Sequence, residues 1–441
     1  MKEDLQTLLE FTERQIAYFE GCEFVPYPGH TVSTVDAVIE MLFEERQPLD
    51  REHVEKLREI TETCSINLSI IGESPFQEGI ERLIVSHFGT EFLGYLTHDI
   101  NHLAYSLVDP RNRLSRMSEV TTDERLQHYH SRRDSAEFQL DPEFFRQQYV
   151  DLDNSTRTLA RMYANPWKFF NYLLTLRLGE QPEMPRTNLS GIIEDTAAVL
   201  GARLDARVVR EPIDTPLRRS IYIHGEAVEV HMDPGPIGSI IYNGPKNSLR
   251  KFDDEQIEAV NQLEDGGIPI SEATSHYIDS LDGERRASIG TYNLPDGYFA
   301  LVFSDTGEPL GIDLMISTLR RAMKEKDPSE LTWCSPEQRD KFLAWMNNDF
   351  AWNNLTLRDL SQIAYMAHMT GNPDRPVSGM GLYGSREIVE NFGGTYLYTT
   401  TFEEENPVFI YIIPKDPINR PQIPVEVLGT QFVDGNLTVP Y

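Results

Sequence analysis

The sequence predicts an α+β protein in which a mostly helical N-terminal part is followed by an α/β sandwich. Leu93, Leu96 and Ile100 begin a series of apolar residues at steps of three and four, which is the spacing of a helix-bundle seam. Short runs of β-branched and aromatic residues lie in the second half of the chain, with helical segments between them. This alternation indicates one mixed sheet with helices on one face.

The composition narrows the class of protein. The 441 residues carry a formal net charge of −30, and such an acidic excess opposes binding to nucleic acid or to anionic membranes. Cys22, Cys64 and Cys334 are far apart and form no CxxC pair, which is typical of a reducing cytosol. The sequence has no apolar run of about 18 residues, the length that a membrane span needs, and its acidic N-terminus lacks an apolar signal core. We therefore expect a cytoplasmic protein without a direct membrane span.

The first 180 residues are predicted to be mostly helical, with a polar segment over 109–141 between two long helices. Residues 1–80, broken near Pro48, carry no recognisable chemistry, and both a sensory domain and plain scaffolding are open for them. In residues 81–180 the seam helix should end at Asp109-Pro110. A second helix over 142–178 should be kinked by Pro166. Two helices with one seam each cannot bury both faces, so we expect this hairpin to pair with a second copy in a dimeric four-helix bundle.

The predicted sandwich occupies residues 186–414, after a linker over 181–185. A helix is expected over 189–202. Strands are expected over the segments 219–223, 227–232, 298–303, 395–401 and 408–413. The proline-rich tail, 415–441, is unassigned.

The first candidate site is His98 in the segment THDINHLAYSL. With Leu93 at heptad position a and Leu96 at d, His98 falls at f, so we expect it to be exposed and reachable by a second domain. A neutral imidazole is nucleophilic near neutral pH. Asp99 beside it can hold one tautomer or take a proton. A surface histidine without function is the commoner outcome for one such residue alone.

A zinc site is an alternative for the same segment. His98 and His102 are four residues apart on one helical face, and HDINH resembles the HExxH zinc pattern with Asp in place of Glu. Asp reaches a metal-bound water less well than Glu, and no obvious third ligand follows in the sequence.

The second candidate site is a predicted helix in MDPGPIGSIIYNGPKNSLRKF. Asn243 and Asn247 lie four residues apart on one face, and an amide oxygen can complete the shell of Mg²⁺ beside phosphate oxygens. Arg250 and Lys251 follow one turn later and can meet phosphate charge.

Two further sites contain glycines. In YFALVFSDTGEPLG a strand leads into Asp305, whose carboxylate can accept a hydrogen bond from an adenine amino group, and Gly307 would let the base approach the backbone. In VSGMGLYGSREIVENFGG, glycines precede a helix and leave its first amides open to phosphate. The residues of that segment which we assign to nucleotide binding are Ser378, Gly379, Gly381 and Leu382.

In this order the four segments resemble the sensor histidine kinase family of two-component systems, with a GHKL-type ATP-binding domain, over residues 85–414. The resemblance implies that His98 is the phospho-acceptor and Asp99 its acidic neighbour, with ATP and Mg²⁺ as cofactors and a response-regulator receiver domain as partner. It assigns Asn247 to Mg²⁺, with Asn243 one turn earlier in the nucleotide site. Arg250 would lie near the phosphates, Asp305 would bind adenine, and Gly379 and Gly381 would shape the phosphate-side loop.

The chain departs from that family at several places. His102 and Leu103 stand where Asn or Thr and then Pro are usual, and Pro309 and Val377 replace glycines of the two glycine boxes. The segment between the boxes is much longer than usual. Related ATP hydrolases place a glutamate four residues before the Mg²⁺-binding asparagine, whereas this chain has Asn243 there. We expect a soluble histidine kinase; the alternative is a degenerate kinase that serves as a nucleotide-binding scaffold or phosphotransfer protein.

Overall fold

A computed structural model describes much of the chain. The described residues are 2–21, 25, 29–45, 50–71, 78–105, 162–182, 184–204, 206–210, 219–247, 285–306, 340, 361, 364–365, 380–400, 406–419, 431–433 and 436–438. Their helices are α1 (Lys2–Glu20), α2 (Thr31–Ile39, continued by a π-helical segment Glu40–Glu45), α3 (Arg51–Ile71), α4 (Glu78–Phe88), α5 (Thr90–Tyr105), α6 (162–178), α7 (Leu189–Leu204), α8 (234–247) and α9 (Met380–Asn391). None of these described helices is long and apolar enough to cross a membrane.

The strands form one mixed sheet and two small pairs. They are β1 (Arg186–Asn188), β2 (Arg207–Val209), β3 (Arg219–Gly225), β4 (Glu229–His231), β5 (Arg285–Leu294), β6 (Tyr298–Asp305), β7 (Thr395–Thr400), β8 (Pro407–Pro414), β9 (Gln431–Val433) and β10 (Asn436–Thr438). The six-stranded sheet has the order β2-β3-β5-β6-β8-β7. Its first two pairings are parallel and the others antiparallel. The prediction of a mixed sheet is confirmed.

The predicted strands are present within a few residues, but the central strand β5 was missed. The segment RRASIGTYNL has two arginines and a glycine in place of an apolar run, so its sequence does not read as a buried strand. Packing between strands explains the glycine at position 290, because a Cβ there would lie 2.6 Å from the ring of His224. The aromatic neighbours on β3 and β5 leave no room for a side chain there.

The seam helix is confirmed over Thr90–Tyr105. Gly89, with φ of 89°, separates α4 from α5. Leu96 and Ile100 are buried, as the apolar spacing indicates. The expected end of the helix at Asp109-Pro110, and most of the first half of the second hairpin helix, lie outside the described residues.

Aromatic side chains hold the helices together. Phe92 on α5 lies between Phe169 and Phe170 of α6, with ring centroids 6.3 Å and 5.2 Å away. On another side of α6, Phe11 of α1 meets Trp167 edge to face at 5.7 Å. Such pairs add stability beyond the area they bury. Helix α1 of the same chain thus covers part of the hairpin surface that we expected a second copy to cover, and dimerisation remains a prediction.

The helical part and the sheet share a contiguous apolar core. Its buried residues include Leu8 of α1, Trp167 of α6, Ile240 of α8 and Phe303 of β6. Gly384 of α9 lies directly against Tyr95 of α5, where any Cβ would overlap the tyrosine ring. Helix α5 therefore sits on α9 at a distance that only glycine permits.

We expect Gly384→Ala to lower the free energy of unfolding by about 1–3 kcal/mol, because the added methyl group must displace Tyr95 in a packed core. Gly191→Ala is the matched control. Gly191 lies on an exposed part of α7 with no atom near its missing Cβ, so alanine there should raise stability by up to about 1 kcal/mol. Urea unfolding of both variants measures the difference. Equal effects would contradict the close packing of α5 on α9.

The opposite face of the sheet carries a partly buried histidine. His224 stacks on Tyr222, and its Nδ1 lies 3.2 Å from the hydroxyl of Tyr292. Burial, and then the charge of Arg286, lowers the pKa of His224. The unfolded chain therefore binds a proton at this residue at higher pH than the folded chain does, and stability rises with pH across that range.

We expect the free energy of unfolding to fall as pH drops from about 7 to about 5, through the ordinary histidine range, and His224→Gln to remove part of that fall. Urea unfolding of both proteins at several pH values measures it. Parallel pH profiles of the two proteins would contradict this role of His224.

Candidate functional site

The candidate site begins at His98 and Asp99 on α5. His98 Nδ1 lies 3.3 Å from Asp99 Oδ1, and the two side chains are only 11% and 3% exposed. The expectation of an exposed His98 is therefore wrong. The reason is tertiary: α5 packs against α6 on one side and against α9 on another, so a heptad f position does not face open solvent.

Asp99 connects α5 to α8. Asn243 Nδ2 donates a hydrogen bond to Asp99 Oδ1 at 3.4 Å, and Asn243 Oδ1 accepts one from Lys246 Nζ at 2.9 Å. Asn243 and Lys246 are 1% and 2% exposed. The amide thus links a buried carboxylate to a buried ammonium group. Buried charges are tolerated when they are paired and hydrogen-bonded in this way.

Tyr95 adds a neutral hydroxyl beside this network. Burial, and then the negative charge of Asp99, raises the pKa of Tyr95 well above its usual range. The phenol therefore stays protonated next to the carboxylate. Ser239, one turn before Asn243 on α8, is buried in the same region and acts on the pKa of Tyr95 in the opposite direction.

Gly381 at the start of α9 brings the glycine segment to the asparagines. A Cβ on Gly381 would lie 3.3 Å from Asn243 Oδ1 and 3.4 Å from Asn247 Nδ2. The prediction that the two asparagines share one helical face is confirmed. Their environments differ, because Asn243 is buried while Asn247 is exposed. Leu382 is partly buried against the core.

The end of β6 approaches the same helix. Phe303 packs against Gly244 of α8, where a Cβ would lie 2.7 Å from the phenylalanine ring. Asp305, two residues further on, is 6% exposed and ends the strand, as predicted. Thr306 follows and exchanges hydrogen bonds with Arg286 of β5. A carboxylate at a strand end, next to the asparagine helix, is thus present.

Other assigned residues, namely Arg250, Lys251, Gly307, Ser378 and Gly379, lie outside the described part of the chain. The zinc alternative stays untested, because the side chain of His102 lies outside the described part of the chain. The described side chains contain no group of three or more His, Cys, Asp and Glu fit to bind a metal ion.

Sequence reasoning missed Lys246, Gly244 and Gly384. Lys246 stands three residues after Asn243, about one helical turn, so a helical projection could have grouped it with the asparagines. The two glycines interrupt helical segments, and a glycine inside a helix often has a packing reason. Nothing in the sequence names Phe303 or Tyr95 as the residues that these glycines admit.

Comparison with known proteins gives matches among solved structures alone. No protein-family model matches the chain, and no curated protein matches its sequence. The mycobacterial sensor histidine kinase MprB is 11% identical, covers 52% of this chain and 97% of its own, and has a TM-score of 0.28. The catalytic domain of the histidine kinase ThkA is 15% identical, covers 54% of this chain and 100% of its own, and has a TM-score of 0.28.

A longer match is the blue-light activated histidine kinase EL346 of Erythrobacter litoralis. It is 10% identical, covers 78% of this chain and 62% of its own, and has a TM-score of 0.26. Identities and TM-scores this low carry no argument of their own. A function for this chain therefore has to be inferred from its own site.

We expect Lys246→Met to lower the free energy of unfolding by about 2–4 kcal/mol, because it leaves the buried Asn243 oxygen without a donor and removes the positive charge that the amide links to Asp99. Adding Asp99→Asn should restore part of the loss, so that the double variant is about 0.5–3 kcal/mol more stable than the sum of the single changes predicts. Urea unfolding of the four proteins measures this coupling.

Lys168→Met is the control for this cycle. Lys168 is 20% exposed and pairs with Glu20 at 2.7 Å, so we expect a loss of at most about 1 kcal/mol. Additive effects of Asp99→Asn and Lys246→Met would show that the two charges are not linked through Asn243.

Proposed function

We propose that this chain is an ATP-dependent protein-histidine kinase that phosphorylates its own His98 and passes the phosphoryl group to an aspartate of a response-regulator receiver domain. One observation carries the proposal. Polar contacts lead from His98 through Asp99 to Asn243, and Gly381 packs closely against the Asn243 side chain. These contacts join three of the four segments on which the resemblance to histidine kinases rests.

The chemistry of His98 follows from its contact with Asp99. With the Nδ1 proton held by the Asp99 carboxylate, Nε2 carries the lone pair that attacks the γ-phosphorus of ATP. An Nε2–phosphorus bond forms, the bond from phosphorus to the β–γ bridging oxygen breaks, and ADP leaves with that electron pair. The imidazole ring gains positive charge, which Asp99 stabilises or relieves by taking the Nδ1 proton.

The phosphate side of the site is assigned to α8 and the start of α9. Lys246 supplies positive charge there, and amides at the start of α9 can donate hydrogen bonds to phosphate oxygens. Bound Mg²⁺ would neutralise phosphate charge. The exposed amide of Asn247 fits such a hard cation, with Asn243 as the alternative ligand. Asp305 at the end of β6 is assigned to the adenine amino group.

Transfer to a protein side chain is favoured over hydrolysis. The residue four positions before Asn247 is Asn243, and the residue four positions before Asn243 is Ser239. Neither side chain is a general base at neutral pH. Whichever asparagine binds the metal, this helix offers no residue one turn earlier that could activate water.

A second candidate function has one observation in its favour. The 11% exposure of the His98 side chain leaves little of the ring open to a receiver domain. A degenerate kinase that binds nucleotide and acts only as a scaffold would not need that access. Labelling with ATP separates the two functions.

Incubation of the purified protein with γ-labelled ATP and Mg²⁺ should give an acid-labile, alkali-stable protein label, because phosphohistidine has that stability profile. His98→Gln should abolish the label. His53→Gln is the matched control, since His53 lies on α3 and pairs with Asp50 away from the site. Label retained in His98→Gln would contradict the assignment and make His102 the next acceptor to test.

Nucleotide binding, measured by calorimetry, completes this experiment. Binding without labelling of the wild-type protein would favour the scaffold. Asn243→Ala and Asn247→Ala, compared over a range of Mg²⁺ concentrations, identify the metal ligand as the residue whose loss raises the Mg²⁺ requirement.

A further inference from the structure

Helices α5 and α6 contact α8 and α9, the helices of the candidate nucleotide site, through described residues of the same chain. We propose that phosphoryl transfer occurs in cis: the nucleotide bound by one chain phosphorylates His98 of that same chain. This inference rests on the proposed kinase function and adds to it the identity of the acceptor chain.

The first support is the hydrogen bond between Asp99 of α5 and Asn243 of α8. His98 is therefore adjacent in sequence to the residue that binds Asn243, and Asn243 in turn borders Gly381. A second chain could present its own His98 there only after this α5 had moved away. Such a movement would leave Asp99, which is 3% exposed, without its amide donor.

The second support is the packing of α5 on α9. Tyr95 is fully buried and fills the space that Gly384 leaves open, and Phe92 and Leu96 beside it are buried as well. Removing α5 from the site would expose these three side chains to water and leave a groove along α9. The fold thus favours the α5 of its own chain at this position.

The third support comes from α6, which packs on the beginning of α8. A Cβ on Gly238 would lie 2.6 Å from Nδ2 of Asn165, and Lys168 of α6 lies 4.0 Å from Asp233 just before α8. Both helices of the predicted hairpin therefore contact the asparagine helix of the same chain.

The connection between the two parts is short. Helix α6 ends at residue 178, with Gly179 at φ of 79°, and β1 begins at Arg186. Residues 179–185 can span at most about 25 Å when fully extended. A short tether keeps the effective concentration of the chain's own acceptor high relative to that of any other chain.

Transfer in cis forms and breaks the same bonds as the proposed kinase reaction. The Nε2–phosphorus bond forms on the chain that holds ATP, the bond to the β–γ bridging oxygen breaks, and ADP leaves from that same chain.

A mixture of two defective chains distinguishes this from transfer between chains. His98→Gln lacks the acceptor, and Asn243→Ala impairs the nucleotide site while retaining His98.

The two variants, carrying different affinity tags, are co-expressed, and the complexes that contain both tags are incubated with γ-labelled ATP. We expect the label on each chain to be about a tenth of the wild-type level or less. The initial labelling rate per wild-type chain should also be constant over about two decades of protein concentration. Asp305→Asn replaces Asn243→Ala if the latter does not fold.

The outcomes separate the two proposals. Label on the Asn243→Ala chain in the mixture, with wild-type protein labelling normally, would overturn transfer in cis and leave the kinase function standing. A labelling rate per chain that rises with concentration would do the same. Absence of label on the wild-type protein would overturn both proposals.

Discussion

The buried path from Asp99 through Asn243 to Lys246 constrains the site more than any other interaction. A carboxylate and an ammonium group removed from water each cost several kcal/mol unless they are compensated. Here one amide compensates both, because its nitrogen donates to Asp99 and its oxygen accepts from Lys246. The amide can do this only when α5 and α8 meet at one rotation and one height. The position of His98 relative to the asparagine helix follows from that requirement.

Glycine makes this arrangement sterically possible. Gly244 lets β6 approach α8, Gly381 brings the first turn of α9 against the asparagines, and Gly384 accepts the ring of Tyr95. A side chain at Gly244 or Gly384 would overlap an aromatic ring, and one at Gly381 would press on the amide of Asn243. Close packing and the polar path are therefore two aspects of the same constraint, since neither exists without the other.

The N-terminal helices belong to the same structural unit as the site. Phe11 of α1 packs on Trp167 of α6, and Lys168 of α6 pairs with Glu20 of α1 while lying near Asp233. A displacement of α1 would therefore be transmitted to the start of α8 through these packed side chains. A signal received by residues 1–80 would have a short physical route to the nucleotide site.

Local patterns in the sequence determined the element types and the order of the motifs. Apolar spacing at three and four residues predicts α5, and the Asn243–Asn247 spacing predicts one helical face, because both depend only on helix geometry. The strand leading into Asp305 is predicted for a similar reason, since an apolar run that ends at a turn is a local signal. These features required no knowledge of what packs against them.

The tertiary structure alone decided the burial of His98, the role of Lys246 and the central place of β5. Each depends on neighbours distant in sequence: α5, which carries His98, packs on α6 and α9, Asp99 lies 144 residues from Asn243, and His224 occupies the space above Gly290. A heptad position shows which way a residue faces on its own helix, but exposure depends on what lies beyond it. The sequence thus named the candidate histidine, and only the fold showed that it is partly buried and lies next to the asparagine helix of its own chain.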